Sequence, residues 1–440
     1  MSKFKVAVVR YETPYESVKK AVELSGGLDH LPAGAKVFVK PNIVAWTKAV
    51  VFPKFGVITT SRVIEDIVRL LKDHGAGEII IGEGTALQKP KDKETPAHAF
   101  EYLGYNKLKE RYGVRPLNIF ESEFEEVDLG AGVVLNYNTD ILHSDFVVNV
   151  PVMKTHAQTK VSLGIKNLKG MIDVASRKKC HSADPVKNLQ YMIARLANKL
   201  PPSLTLVDGI FTTERGPSFD GKAHRTNVLV ASTDVLSADM AASRVMGIEP
   251  DTVPHLVHAA KDRNRSLDFS DVEIVGEKIE DVASPHESEF PYNVNNTLPG
   301  AMAKMGIEGI DYYKYDDTMC TYCSGVNWIV LSAIAMAWKG EPFDNVEVLT
   351  GKKMKPKGGK NKTILLGKCM YEANKDDPNI KEMIAIKGCP PMPQVIVKSL
   401  HQAGIMVDTS IFDNYEMAPG YFYRRYKDRP EFDESFFQVS

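Results

Sequence analysis

The sequence predicts an α/β protein: a mostly parallel sheet flanked by helices, followed by a smaller α/β domain that carries cysteines. Three observations predict it. From the first residues to about residue 277, short β-branched runs alternate with segments of helical periodicity. Residues 278–310 interrupt every periodicity, and from 311 to 440 the alternation resumes on a smaller scale.

In the first region, strands are expected at 6–11, 37–44, 78–82, 145–152, 204–208, 227–231 and 272–275. Between them lie stretches such as Ser61-Arg-Val-Ile-Glu-Asp-Ile-Val-Arg-Leu-Leu-Lys72, whose apolar residues recur at helical spacing. Such alternation places ligands beyond the carboxyl ends of the strands. The segment 278–310, with Pro285, Pro291, Asn293, Asn296 and Pro299, reads as a linker. Beyond it a helix is expected at 327–338, strands at 346–349, 364–366 and 384–386, and a helix at 394–403. The Lys/Gly-rich run 351–362 reads as a solvated loop, because it lacks the interleaved aromatics of a nucleic-acid site.

Composition narrows the function. The chain of 440 residues is 43% hydrophobic, enough to bury a large core, and its 55 Lys+Arg nearly cancel its 56 Asp+Glu. Nothing in that balance asks for nucleic acid or an acidic membrane face. No apolar run approaches the roughly 20 residues that span a bilayer. The amino terminus reads as a first strand and not as a cleavable leader, so a cytoplasmic location is expected. In that reducing compartment five cysteines do not make a disulfide framework.

Four of the five gather in the last third: Cys320-Thr-Tyr-Cys323, Gly367-Lys-Cys369 and Gly388-Cys389-Pro390-Pro391. A two-residue gap lets Cys320 and Cys323 face one metal centre from a single turn, while Cys369 and Cys389 follow predicted strands. Gly367 and Gly388 allow backbone to approach a bulky inorganic group. Tetrahedral zinc uses the same knuckle, yet it usually takes two of them, and here the last two cysteines are single and widely spaced. The expected cofactor is therefore a [4Fe-4S] cluster, with zinc as the alternative. The run Asp311-Tyr-Tyr-Lys-Tyr-Asp-Asp317 before Cys320 reads mainly as domain surface, with tyrosine hydroxyls placed to donate to sulfur. Cys180, far from the quartet in sequence, reads as a spectator.

The ten residues from Gly388-Cys-Pro-Pro-Met-Pro393 onward resemble the cluster-binding signature in the small subunits of energy-converting hydrogenases and respiratory NADH dehydrogenase. Those subunits begin with adjacent cysteines, whereas Cys320 and Cys323 are two residues apart.

In the larger domain the densest polar run is Pro151-Val-Met-Lys154-Thr-His156 through Lys166-Asn167-Leu-Lys169-Gly170, directly after a buried strand. Its cations and amides suit a carboxylate or phosphate, although Lys160, Lys166 and Lys169 also fit the polar face of a helix. Other strand ends add Lys40 and Asn42, Glu83, Asp208 and Glu214, and His181 is a further candidate for the crevice. Lys154, His156, Lys166 and Glu214 are the expected catalytic residues, and Lys40, Asn42, Glu83 and Asp208 the expected binding residues, around one crevice for an anionic small molecule.

These same motifs, Lys40-Pro-Asn42, Gly82-Glu83-Gly84, Val150-Pro-Val-Met-Lys154-Thr-His156, Lys166-Asn-Leu-Lys-Gly170, Val207-Asp-Gly209, Glu214-Arg-Gly-Pro217, Thr233-Asp234 and Asp239, resemble the domain of unknown function 362 family over about 230 residues. The resemblance implies an iron-sulfur module, commonly ferredoxin-like. This chain has the dispersed quartet and no tight C-x2-C-x2-C-x3-C-P run. Together these readings give the expectation of an anaerobic-type iron-sulfur oxidoreductase or electron-transfer protein acting on an anionic small molecule or a redox partner. The alternative is a non-redox binding module whose four-cysteine site is structural.

Overall fold

A computed structural model describes residues 3–84 and 91–440. The chain divides into two units: residues 1–177, 190–289 and 419–440 form one, and residues 178–189 with 290–418 form the other. Sequence reading drew the boundary at a linker, 278–310, and ran the second domain to residue 440. The division in the structure falls at 289, gives the second unit the segment 178–189, and returns the last residues to the first.

The larger unit is built on a mixed, mostly parallel sheet flanked by helices. Its strands are β1 (Phe4–Arg10), β2 (Val37–Lys40), β3 (Ile79–Glu83), β4 (Arg115–Asn118), β7 (Phe146–Asn149), β8 (Val152–His156), β9 (Lys160–Ser162), β10 (Ser203–Glu214), β11 (Lys222–Ser232) and β12 (Val272–Gly276); a separate hairpin pairs β5 (Phe124–Asp128) with β6 (Val134–Asn138). The spatial order is β12-β1-β11-β10-β7-β2-β3-β4, with β8 added on β10 and β9 on β8. Strands β7, β2, β3 and β4 run parallel, so their carboxyl ends share one edge. Along β1 the side chains alternate between faces: Ala7 and Val9 join one core cluster, Val6 and Val8 the other. Helix Ser61–Asp73 shows why the periodicity was legible, since Val63, Ile64, Ile67, Val68, Leu70 and Leu71 are all buried.

Two expectations about this sheet are corrected. Segments 204–208 and 227–231 were expected as short strands with polar residues leaving beyond them; they are the inner parts of one long antiparallel hairpin, β10 with β11, that carries a bulge between Gly209 and Phe211. The single strand expected at 145–152 divides into β7 and β8, and Lys154 and His156, expected to emerge beyond it, lie within β8.

The smaller unit holds β13 (Ile310–Tyr312), β14 (Val346–Leu349), β15 (Lys362–Leu366) and β16 (Met383–Ile386) in a parallel sheet in sequence order. Helices Thr321–Ala337, Lys368–Asn374 and Pro393–Gln402 connect or follow these strands. Its core joins Val346, Val348, Ile364, Leu366, Ile384 and Ile386 to Ile329, Val330, Ala333 and Ile334 of the first of these helices.

Candidate functional site

In the smaller unit the parallel, sequential order of the sheet brings every strand's carboxyl end to one edge, and all four cysteines of the quartet come from loops or first turns at that edge. Cys320 is the cap residue of helix Thr321–Ala337, and Cys323 lies in its first turn. Cys369 opens helix Lys368–Asn374 immediately after β15, and Cys389 follows β16. The last two loops are stitched together by backbone: Gly367 N donates to Ile386 O at 2.8 Å and Lys368 N to Gly388 O at 3.0 Å.

Two glycines are required here. Gly367 has φ +98°, a backbone conformation that side-chain-bearing residues rarely adopt, and it places this turn beside the Cys320–Cys323 segment, where a Cβ would reach ordinary contact at 3.4 Å from Cys323 Sγ. At Gly388 a Cβ would come within 2.5 Å of Pro391 Cα.

Electrostatics ties the four sulfurs together. Cys320 is drawn down to about 5 by the hydrogen bond it accepts from the Cys323 thiol, against the opposing effect of burial, with help from backbone N–H groups and Lys352. Cys323 moves the opposite way: it donates to Cys320, partial burial raises it further, and the neighbouring sulfurs of Cys320, Cys389 and Cys369 act in the same direction. Cys369 and Cys389 are exposed, Cys320 and Cys323 half-buried. Lys178 brings its Nζ to 3.7 Å from Cys389 Sγ and 5.1 Å from the ring of Tyr322. Among the described residues no three His, Cys, Asp or Glu side chains converge to hold a single metal ion. The ligands of a cluster are spaced apart by its inorganic core, so four soft sulfur ligands around one loop edge fit that group without meeting at a point. Of the preceding tyrosines, Tyr312 is buried and its hydroxyl donates to Asn327 Oδ1 at 2.8 Å. His181 belongs to this unit, its Nδ1 2.7 Å from Asp317 O, and Cys180 is buried.

The larger unit draws some of its predicted residues together. Lys40, at the end of β2, and Glu83, at the end of β3, form an ion pair of 2.7 Å with side chains 0% and 3% exposed. Lys40 Nζ also donates to Pro41 O at 2.6 Å and Asn167 Oδ1 at 3.2 Å, while Glu83 accepts from Ile43 N at 2.9 Å and Gly84 N at 2.8 Å. Gly170 lies against this pair: a Cβ there would stand 2.6 Å from Glu83 Oε1. Lys154 Nζ donates to Asn42 Oδ1 at 2.5 Å and Val57 O at 2.9 Å. Burial draws the Lys154 ammonium down to about 7, with Glu83 opposing and Lys40 assisting. Lys40, Asn42, Glu83 and Lys154 thus meet as expected, but the two ammoniums are buried and bonded to protein acceptors rather than lining an open crevice.

The other candidates lie apart. Asp208 is buried and accepts from Thr60 N at 2.8 Å and Ile210 N at 3.1 Å, which makes it the acceptor at the start of helix Ser61–Asp73. Glu214 pairs across the hairpin with Lys222 at 3.3 Å and lies 3.2 Å from His224 Nε2; burial pushes its carboxyl up, but the Glu287 N–H, the His224 ring and Lys222 hold it below the usual range. His156 is half-buried and accepts from Gln158 N at 3.1 Å through Nδ1, and Lys166 is half-buried in the short helix Gly164–Asn167. Sequence reading missed Lys178, whose neighbour Cys389 is 211 positions away, and Asn149, whose side chain joins that of Asn167 at 2.8 Å. Asn149 ends β7 in register with Lys40, a placement hidden in the sequence because the expected strand ran on to residue 152.

Comparison with known proteins bears on the larger unit. A thylakoid-associated protein of Synechocystis sp. is 24% identical over 250 residues, covering 56% of this chain and 74% of that one. Among solved structures, the lactate racemase apoprotein from Thermoanaerobacterium thermosaccharolyticum aligns with a TM-score of 0.35 at 15% identity, covering 56% of this chain; the chain spans 58% of that protein's length. A Thermotoga maritima protein aligns with a TM-score of 0.29 at 16% identity, covering 48% of this chain and 54% of that one. Residues 37–244, which hold the Lys40–Glu83 pair and Lys154, match the family described as domain of unknown function (DUF362).

Proposed function

We propose that the smaller unit is an iron-sulfur module and that the protein transfers electrons. The observation that carries the reading is the arrival of four cysteines, from three chain segments, at the carboxyl edge of one parallel sheet. Cys320, Cys323, Cys369 and Cys389 would hold a [4Fe-4S] cluster, which when bound supplies one-electron chemistry. The chain's own part is to bring Cys320 and Cys323 together in one helical turn, to fix the Cys369 and Cys389 loops to each other, and to set Lys178 beside the Cys389 sulfur. A nearby cation favours the more negative, reduced state of such a centre.

The electron partner in this reading is an anionic small molecule or a redox protein. A reducing cytoplasm belongs to the same reading, since it keeps thiols available as ligands. No helix among the described residues is long and apolar enough to cross a membrane. The test is anaerobic purification with iron and acid-labile sulfide determined on the wild type and on Cys389→Ser. Iron and sulfide in equal amounts, reduced in the variant, support the cluster; stoichiometric zinc without iron returns the site to a structural role.

A further inference from the structure

We propose that the face carrying Cys369 and Cys389 docks an acidic electron-carrier protein; this rests on the cluster reading above. Two features of the face point to a protein partner of that charge. First, the exposed cysteines are flanked by exposed lysines, Lys368 and Lys387, neither of which has a carboxylate within 4 Å among the described residues. Lys387 lies over the Tyr371 ring at 4.0 Å and Lys178 stands 3.7 Å from Cys389 Sγ. Glu372, whose carboxylate feels both Lys368 and Lys387, is held by Lys375 at 2.9 Å, so it is partly neutralised. Second, Met392 is 61% exposed and Val395 42% exposed just beyond Cys389, which puts apolar surface beside the basic rim. A basic rim around a small apolar patch is what steers and seats an acidic partner.

The exposure of Cys369 and Cys389 also suits electron entry, because tunnelling falls steeply with distance and a partner seated on this face would approach two ligands directly. The step balances as a single-electron exchange: the reduced carrier loses one electron, the cluster gains it, and no bond forms or breaks.

The experiment mixes anaerobically purified, cluster-containing protein with a reduced plant-type [2Fe-2S] ferredoxin, an acidic carrier, and follows reduction by stopped flow. Raising salt from about 0.01 M to about 0.3 M should slow the second-order rate about tenfold or more, because screening shortens the reach of the lysine field. Lys368→Glu combined with Lys387→Glu should lower the low-salt rate by a similar factor. Iron and sulfide content, and reduction by a photoreduced deazaflavin, should stay as in the wild type. Equal rates at both salt concentrations, or in the charge-reversed protein with its cluster intact, overturn the docking surface alone. Absence of iron and sulfide from the wild type, read before any carrier is added, overturns the cluster and this inference with it.

Discussion

At the scale of single residues, the larger unit commits charge to its interior. Lys40 and Glu83 are buried together, and each is further bonded by backbone and amide groups, so removing one leaves the other without its counter-charge. Glu83→Gln is expected to cost about 3–5 kcal/mol, measured by urea unfolding of the variant against the wild type. Asp239 offers a pH test. Burial pushes its carboxyl up to about 7, although Gly164 N at 2.7 Å and Ile165 N at 2.9 Å donate to it. A raised folded value means that the folded chain binds more protons than the unfolded chain between 3.8 and about 7. Stability from this group is therefore full below the lower value and falls as pH rises through that window, by at most about 1.4 kcal/mol per pH unit. Asp239→Asn should flatten the slope between pH 4 and 7; an unchanged slope would mean that the carboxyl is not the titrating group.

Residue identity was easier to read than residue circumstance. Lys40, Asn42, Glu83 and Lys154 were legible as a set because each ends or follows a β-branched run. That the two ammoniums are enclosed was not, since their acceptors, Asn167 Oδ1 and Val57 O, lie far along the chain. Asp208 looked like a site residue for the same reason that makes it a good helix acceptor: a short carboxylate at the midpoint of a sheet, facing the N–H of Thr60.

At the scale of elements, the smaller sheet was the more legible. The strand expected at 346–349 is β14 residue for residue, and those expected at 364–366 and 384–386 lie inside β15 and β16. Parallel strands buried on both faces read as plain apolar runs. The hairpin of β10 and β11 was read short because Asp208-Gly209 has the composition of a turn, while the chain continues through a bulge as Ile210-Phe-Thr-Thr-Glu214. Helix Thr321–Ala337 begins six residues before the expected start, since the polar stretch around Cys323 hides its first turns. The element that most constrains the cysteine edge is the turn at Gly367. Gly367→Ala forces a side chain onto φ +98° in the turn beside Cys323, so it should lower iron per chain at least severalfold while leaving the far-ultraviolet spectrum near that of the wild type. Full iron content in that variant would remove the glycine cradle from the account.

At the scale of the whole molecule, the division of the chain was the least legible feature. Residues 419–440 follow the cysteine-bearing segment in sequence but belong to the larger unit, because their aromatic side chains have partners there: Phe437 is 0% exposed and lies 5.5 Å from the Phe55 ring and 5.8 Å from that of Phe211. Glu434 also reaches Lys54, at 2.6 Å. No local pattern in Glu434-Ser-Phe-Phe437 announces those contacts, which join positions hundreds of residues apart. Phe437→Ala should destabilise the larger unit by about 3–5 kcal/mol, read as a lowered unfolding midpoint in urea. If the midpoint does not move, the carboxyl-terminal segment is not part of that unit's core.

The electron-handling account turns on what the four cysteines hold. The most direct measurement is electron paramagnetic resonance of the anaerobically purified wild-type protein before and after one-electron reduction. The account predicts a diamagnetic centre that becomes paramagnetic on reduction and is lost in Cys320→Ser. A protein that stays silent on reduction and carries zinc on the same four sulfurs would contradict it.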